Sequence, residues 1–229
     1  MIRPRRLVAA LAVAILAAAA AVVPSARAQA HDHGTPGHVH APAPAAPPGA
    51  RPAASLVSDR ILGSAQAPVT VIEYASFTCP HCAVWTNEVL PEFKTRFIDT
   101  GQVRLIYRDL PTNPGEIAVA AAKVTRCVAP DQAFAVIERL MAQQATARSL
   151  NYPATWFANA AALGGRPAEE IAACVQDPAT QASLEADVQG AQAAGVRGTP
   201  TFFINGERFE GVPTVGGLAA VIEPLLAAR

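Results

Sequence analysis

Two cysteines separated by two residues, Cys79 and Cys82, are the part of the chain best suited to chemistry. They lie between alternating apolar residues over 69–74, which predict a β-strand, and an apolar repeat over 85–97, which predicts a helix. The first cysteine would then lie at a helix N-terminus, where free N–H groups and the helix dipole stabilise a thiolate. The pair therefore predicts a redox-active dithiol. The alternative is half of a zinc site, but the other cysteines are isolated singletons.

Residues 1–28 predict a secretory signal peptide. Arg3, Arg5 and Arg6 precede an apolar stretch over 7–23, and 26–28 (Ala-Arg-Ala) is a small-x-small cleavage site. The alternative is an uncleaved membrane anchor, although 17 apolar residues are few for a span. After cleavage the protein would be periplasmic or otherwise exported and soluble, with membrane contact only through the signal segment. Its four cysteines suit a compartment in which disulfides persist.

The charge balance argues against nucleic acid as a partner. The chain has 18 basic and 18 acidic residues, and loss of the four arginines of the signal segment would leave a net charge of −4. No cluster of lysine or arginine remains that could bind nucleic acid or an anionic membrane. The length after cleavage suits one domain that carries an insertion.

Residues 29–55 form a proline- and alanine-rich tail that contains four of the five histidines. Such a composition buries too little apolar surface to fold, so disorder is predicted. His31, His33, His38 and His40 could bind copper or zinc through neutral imidazoles. The alternative is a solvated tail with adventitious metal affinity, since no fixed scaffold orients these ligands.

The rest of the chain predicts an α/β fold with a helical insertion. A short lead-in with a turn (58–63) precedes the strand over 69–74, a helix to about residue 99 and a second strand over 103–108, in a parallel crossover. Pro91 should kink that helix. Residues 113–194 are predicted to be almost wholly helical. Strands then return around Asn205-Gly206, a hairpin signal, before a terminal helix.

His81 lies between the two cysteines and bears on the direction of the redox reaction. An imidazolium, or its N–H, would stabilise the thiolate of Cys79. Stabilising the thiolate stabilises the reduced form, so the disulfide becomes a stronger oxidant. The alternative is that His81 is a solvent-facing spacer.

Cys127 and Cys174 both lie in the predicted helical insertion. The export signal and the even number of cysteines favour a structural disulfide between them. Two buried free thiols, or a second redox pair that tunes the first, are the alternatives.

Two segments resemble the signatures of thiol:disulfide oxidoreductases of the DsbA type, in the thioredoxin-like superfamily. Residues 71–82 (VIEYASFTCPHC) are similar to that family's active-site segment, and residues 195–206 (GVRGTPTFFING) to its second signature. The helical insert between them matches the family's architecture, and the resemblance covers residues 56–229. It implies a thioredoxin-like fold, a central mixed sheet flanked by helices. The thioredoxin-like domain would comprise 56–112 and 195–229, and an all-helical insertion 113–194.

The resemblance also implies roles for further residues. Glu73, six residues before Cys79, matches the family's buried acid and would be a proton acceptor or relay for Cys82; the alternative is a strand-edge acid that faces water. Thr199-Pro200 matches the family's cis-proline, which would lie against the dithiol while the Thr199 backbone pairs with an extended substrate. An ordinary trans proline is the alternative. Pro80, next to Cys79, completes the expected substrate-binding set.

The function that follows is an exported protein-disulfide oxidoreductase. It would donate its Cys79–Cys82 disulfide to extended or unfolded exported proteins through a mixed disulfide, and a membrane redox partner would reoxidise it. No cofactor is expected beyond the redox-active disulfide. The alternatives are a disulfide isomerase or reductase, or a copper- or zinc-handling protein that uses the histidine tail.

Overall fold

The computed structural model describes residues 51–52, 56 and 58–228 of the 229-residue chain. The predicted signal segment and the tail histidines lie outside the described residues. Within the described part, no helix is both long enough and apolar enough to cross a bilayer.

Five strands of the described chain form one sheet, which is mixed, as predicted. They are β1 (Arg60–Leu62), β2 (Val69–Ala75), β3 (Val103–Asp109), β4 (Thr201–Ile204) and β5 (Glu207–Arg208), in the order β1-β3-β2-β4-β5. The central pair, β2 and β3, is parallel, and the other three pairs are antiparallel. The parallel pair is almost entirely buried, which is why its strands are nearly continuous apolar runs.

Apolar layers cover both faces of the sheet. On one face, Val71, Leu105 and Phe202 belong to the large cluster that also contains the apolar residues of most helices. On the other face, Ile72, Ile106 and Phe203 pack in a smaller cluster with residues from the end of the last insertion helix and the loop after it. Since side chains alternate along a strand, neighbouring residues enter different layers. The result is the sheet flanked by helices that the sequence predicts.

The helix after the dithiol is built from short segments. α1 (Pro80–Val84) and α2 (Leu90–Phe93) are each followed by a π-helical segment, Trp85–Val89 and Lys94–Ile98 respectively. Pro91 lies in the first turn of α2, where the missing proline N–H removes no hydrogen bond that an α-helix needs. The predicted single kinked helix is therefore a run of alternating α and π turns.

Six α-helices and one 3₁₀ turn lie between β3 and β4 in the described chain. They are α3 (Gly115–Arg126), the 3₁₀ turn Pro130–Gln132, α4 (Ala133–Ala142), α5 (Gln144–Ser149), α6 (Ala154–Ala161), α7 (Ala168–Gln176) and α8 (Pro178–Ala193). The last described helix is α9 (Val215–Ala227), which follows the β4–β5 hairpin. The helical insertion is thus present, and its proposed limits of 113–194 remain a prediction.

The lead-in at 58–63 is more than the turn expected from sequence, because it contains β1. This strand is only three residues long and pairs antiparallel with β3 at the sheet edge. Three residues are too few to show an alternating pattern. Its buried residue is Arg60, 6% exposed, a type that sequence reasoning assigns to the surface.

A buried cluster of two arginines and two aspartates explains that burial. Asp187 of α8 accepts hydrogen bonds from Arg60 at 3.2 Å, from Arg126 at 2.6 Å and from the Asp109 backbone N–H at 2.9 Å. Asp109 also pairs with both arginines. The charges balance within the cluster, as burial requires. The four residues join β1 and β3 to α3 and α8, so they fix the insertion against the sheet.

Candidate active site

Cys79 lies where the sequence predicted, between the end of β2 and the start of α1. It is the N-cap of α1, with extended backbone angles (φ −82°, ψ 119°), and Pro80 is the first helical residue. Its side chain is 8% exposed, whereas Cys82, one turn on, is 0% exposed. The structure contains both as thiols. A reaction partner can therefore reach the first sulfur and not the second.

The surroundings of Cys79 stabilise its thiolate. The pKa of Cys79 falls from 9.0 to about 5, chiefly because the Cys82 thiol donates a hydrogen bond to its sulfur. Partial burial opposes this, while Thr199 and the backbone N–H groups of Cys82 and His81 add to it. Cys79 is thus ionised at neutral pH and nucleophilic.

The pKa values of Cys82 and Glu73 are raised, in the opposite direction to that of Cys79. Burial raises the pKa of Cys82 well above its ordinary value, with further contributions from its hydrogen bond to Cys79 and from the charge of Glu73. Burial also raises the pKa of Glu73, which is 1% exposed and lies on β2 beneath the dithiol. Its Oε1 has no hydrogen-bond partner among the described residues. Glu73 is therefore a buried acid whose surroundings favour the neutral form, not a strand-edge acid in water.

His81 acts on Cys79 through its main chain. Its backbone N–H is one of the groups that lower the pKa of Cys79, while its side chain is exposed at the surface of α1. A charge on an exposed imidazole is screened by water. The predicted contribution of the imidazole to the redox potential stays a prediction.

The Thr199–Pro200 segment lies against Cys79. Its peptide bond is cis, and the Thr199 carbonyl accepts a hydrogen bond from the Cys79 thiol at 3.2 Å. The Thr199 hydroxyl is buried and has no hydrogen-bond partner among the described residues in this thiol form. The Thr199 side chain is nevertheless among the groups that lower the pKa of Cys79, and its hydroxyl carries the proton that it has to donate to a thiolate. Residues 120 positions apart thus meet at one sulfur.

Sequence reasoning missed a hydroxyl cluster beside the dithiol. Ser76 and Thr78 precede Cys79, and both bond to Thr112 in the loop after β3: Thr78 Oγ1 donates to the Thr112 carbonyl at 2.9 Å, and Thr112 Oγ1 donates to Ser76 Oγ at 2.9 Å. Gln144 and Arg148, from the insertion, donate to the carbonyls of Phe77 and Thr78 in the loop between β2 and α1. Small polar residues beside a C-x-x-C motif are the only local signal, and their partners are distant in sequence.

Cys127 and Cys174 are joined in a disulfide, with Cα atoms 5.6 Å apart. Cys127 directly follows α3 and Cys174 lies in α7, so the bond connects two helices of the insertion. The Thr180 hydroxyl lies 3.7 Å from one sulfur and 3.5 Å from the other. This placement suits a structural bond, and whether the pair also has a redox role stays a prediction.

Metal binding finds no support in the part of the chain that the structure describes. No group of three or more histidine, cysteine, aspartate or glutamate side chains there is arranged to hold an ion. Cys79 and Cys82 thus lack the additional ligands of that kind that a zinc site needs. His31, His33, His38 and His40 lie outside the described residues, so their predicted metal affinity stays a prediction.

Comparison with known proteins identifies the family. A family model described as thioredoxin matches residues 55–224, so the chain belongs to the thioredoxin family. A Rickettsia prowazekii protein, provisionally named a protein-disulfide oxidoreductase, is 33% identical over 156 residues, which are 67% of this chain and 56% of that protein. The chain spans about half the length of the curated relatives it matches first.

Solved structures agree with that membership. The crystal structure of Wolbachia pipientis α-DsbA1 has a TM-score of 0.68 and 26% identity, over 76% of this chain and 94% of that one. Bacillus subtilis BdbD, at 22% identity, has a TM-score of 0.67 over 80% of this chain and 98% of its own, which supports the fold. The predicted thioredoxin-like fold with a helical insertion and the predicted DsbA-type class are confirmed.

Proposed function

We propose that this chain is an exported thiol:disulfide oxidoreductase that donates the Cys79–Cys82 disulfide to folding client proteins. The observation that carries the proposal is the contrast between the two cysteines. Cys79 is reachable and has a pKa of about 5, whereas Cys82 is buried and its pKa is raised. Because the reduced form gains a stabilised thiolate, the oxidised form readily gives up its disulfide.

The oxidation of a client proceeds in two exchanges. A client thiolate attacks the Cys79 sulfur, the Cys79–Cys82 bond breaks, and Cys82 leaves as a thiolate. Its high pKa makes Cys82 take up a proton, which Glu73 can supply from its buried carboxyl. A second client thiolate then attacks the client sulfur of the mixed disulfide and releases Cys79 as a thiolate. The client loses two electrons as its disulfide forms, and the dithiol gains them.

The Thr199–Pro200 segment supports an extended substrate. Proline has no backbone N–H, so Pro200 places no main-chain donor beside the sulfur. The Thr199 carbonyl is already within hydrogen-bond distance of the Cys79 thiol, so a client backbone paired along this segment would bring its own cysteine to the same sulfur. Pro80 is exposed next to Cys79 and would border the client. Extended or unfolded exported proteins with cysteines fit such a site.

Turnover needs a second partner. Each cycle leaves Cys79 and Cys82 reduced, so a partner disulfide must accept the two electrons before the next client. The family resemblance implies a membrane redox protein in this role. Such a partner would keep the Cys79–Cys82 pair in the disulfide form, so the reaction with clients is oxidation. An isomerase or reductase would instead be kept in the dithiol form.

The deciding experiment is the reduction potential of the Cys79–Cys82 couple, measured in glutathione buffers by thiol alkylation of the full chain. We expect a potential near that of strong oxidants, about −120 mV, and a value near about −270 mV, typical of thioredoxin, would refute the oxidase. Oxidation of a reduced client peptide with two cysteines measures the activity. Cys79→Ser and Cys82→Ser should each abolish it. With the oxidised peptide, Cys82→Ser should trap the mixed disulfide, because Cys79 attacks the peptide disulfide and no second thiol resolves the product.

A further inference from the structure

Two side chains of α5 reach the carbonyl groups of three consecutive residues that lead into the dithiol. The Gln144 amide Nε2 donates to the Phe77 carbonyl at 2.9 Å and to the Cys79 carbonyl at 2.8 Å. Arg148, one helical turn further on, donates from Nη2 to the Thr78 carbonyl at 2.9 Å. All three oxygens at 77–79 are thereby bonded to the helical insertion, 65 or more positions away in sequence.

Gln144 is buried, so its side-chain amide needs these hydrogen bonds. Its side chain is 2% exposed, and a buried amide is stable only when its polar atoms are hydrogen-bonded. The amide nitrogen has two N–H groups, and the carbonyls of Phe77 and Cys79 accept both hydrogen bonds. Arg148 is exposed and also donates from Nε to the Tyr152 hydroxyl at 3.4 Å, so its charge is largely solvated.

These bonds fix the peptide group whose side chain reacts. The Cys79 carbonyl accepts from Gln144 and also from the Ala83 backbone N–H at 3.2 Å, so it is held between the insertion and the first turn of α1. In this orientation of the N-cap residue the Cys79 thiol donates to the Thr199 carbonyl at 3.2 Å, and the backbone N–H groups of His81 and Cys82 lower the pKa of the same sulfur. Donors on the three carbonyls also offset their partial negative charge beside a thiolate.

We infer that Gln144, assisted by Arg148, is a positioning residue for Cys79: the helical insertion holds the N-cap of α1 and thereby sets how strongly the thiolate is stabilised. The meaning of this contact for catalysis rests on the proposed function. The titration of Cys79, however, tests the contact without any client or partner.

The test compares Gln144→Ala with Gln143→Ala in the full chain. Gln143 is the neighbouring residue of the same type, is half-buried, and makes no side-chain hydrogen bond in the described structure. The Cys79 thiolate is followed by absorbance at 240 nm as pH is varied, as the difference between reduced and oxidised protein. Gln144→Ala should raise the pKa of Cys79 by about one unit, which is about a tenfold smaller acid dissociation constant. Gln143→Ala should leave the pKa of Cys79 unchanged. The tenfold change corresponds to a reduction potential about 30 mV lower.

Arg148 provides a second test should Gln144→Ala fail to fold. Since Arg148 is exposed, Arg148→Ala should fold. It should raise the pKa of Cys79 by less than Gln144→Ala does. Arg148→Lys, which keeps a donor, should return the pKa of Cys79 to that of the unaltered chain. A loss of thermal stability in Gln144→Ala and Arg148→Ala, with the pKa of Cys79 equal to that of Gln143→Ala, would overturn the inference. If the pKa shifts as expected but the unaltered chain does not oxidise a client peptide, the positioning role stands and the proposed function fails.

Discussion

Replacing Thr199 by valine isolates one donor to the Cys79 thiolate. Valine keeps the branched shape and removes only the hydroxyl, which is buried and has no hydrogen-bond partner among the described residues in the thiol form. A hydrogen bond to a charged group contributes about 1.5–3 kcal/mol. Because the Cys82 thiol and two backbone N–H groups remain as donors, we expect the lower end of that range, about one pKa unit.

The thiolate fraction should change strongly only at mildly acidic pH. A shift of the pKa of Cys79 from about 5 to about 6 lowers the thiolate fraction at pH 5.5 from about three quarters to about one quarter. At pH 7 the fraction stays above about nine tenths in both proteins. The measurement is the 240 nm titration of the reduced chain, with the reduction potential as a second readout, expected to fall by about 30 mV.

Thr201→Val is the matched control for this substitution. Thr201 Oγ1 donates to the Gly198 carbonyl at 2.7 Å in the same loop, so its loss loosens the loop without removing the hydroxyl that lowers the pKa of Cys79. An unchanged midpoint in Thr199→Val, or an equal shift in Thr201→Val, would refute the assignment of the Thr199 hydroxyl as a donor.

Three further predictions concern buried groups. Glu73→Gln should slow the release of Cys82 from the Cys79–Cys82 disulfide, as the client thiolate attacks, by about a hundredfold in stopped-flow assays, since the amide supplies no proton. It should also raise the free energy of unfolding at pH 7, because the raised pKa makes ionisation of this acid above 4.5 more costly in the folded than in the unfolded chain. Replacing both Cys127 and Cys174 by alanine should lower the free energy of urea unfolding by about 4 kcal/mol, the chain-entropy value for a separation of 47 residues. Asp187→Asn should lower it by about 3 kcal/mol, because two buried arginines then share one carboxylate.

Each of these predictions has an outcome that would contradict it. For Glu73, the contrary result is a release rate equal to that of the unaltered chain, or a stability difference that does not grow between pH 4.5 and 7. For the disulfide, it is equal urea midpoints with and without the bond. For Asp187, a loss below about 1 kcal/mol would show that solvent reaches the cluster and screens it.

The stability of the reduced protein depends on pH through both Cys79 and Glu73. The pKa of Cys79 is lower in the folded than in the unfolded chain, so its contribution to the stability of the reduced protein is full above about pH 9 and is lost as pH falls to about 5. The raised pKa of Glu73 acts in the opposite direction above 4.5. The reduced protein should therefore gain stability with pH more steeply in Glu73→Gln than in the unaltered chain.

Local patterns in the chain were enough to predict most of the scaffold. The alternation over 69–74 and the Asn205-Gly206 turn predict strands that the structure contains, because side-chain period and turn chemistry depend on near neighbours. β1 could not be predicted in this way. It is held by pairing with β3 and by the contact of Arg60 with Asp187, 127 positions away.

The sequence by itself determined the chemistry of this protein: a C-x-x-C pair at the start of a helix, with only isolated cysteines elsewhere in the chain, predicts a dithiol site. Only the tertiary structure decided how unequal the two cysteines are. Cys79 is hydrogen-bonded to Thr199, 120 positions away, and to Gln144, 65 positions away. Cys82 and Glu73 are buried. A pKa depends on burial and on which donors approach, and spacing along the chain fixes neither.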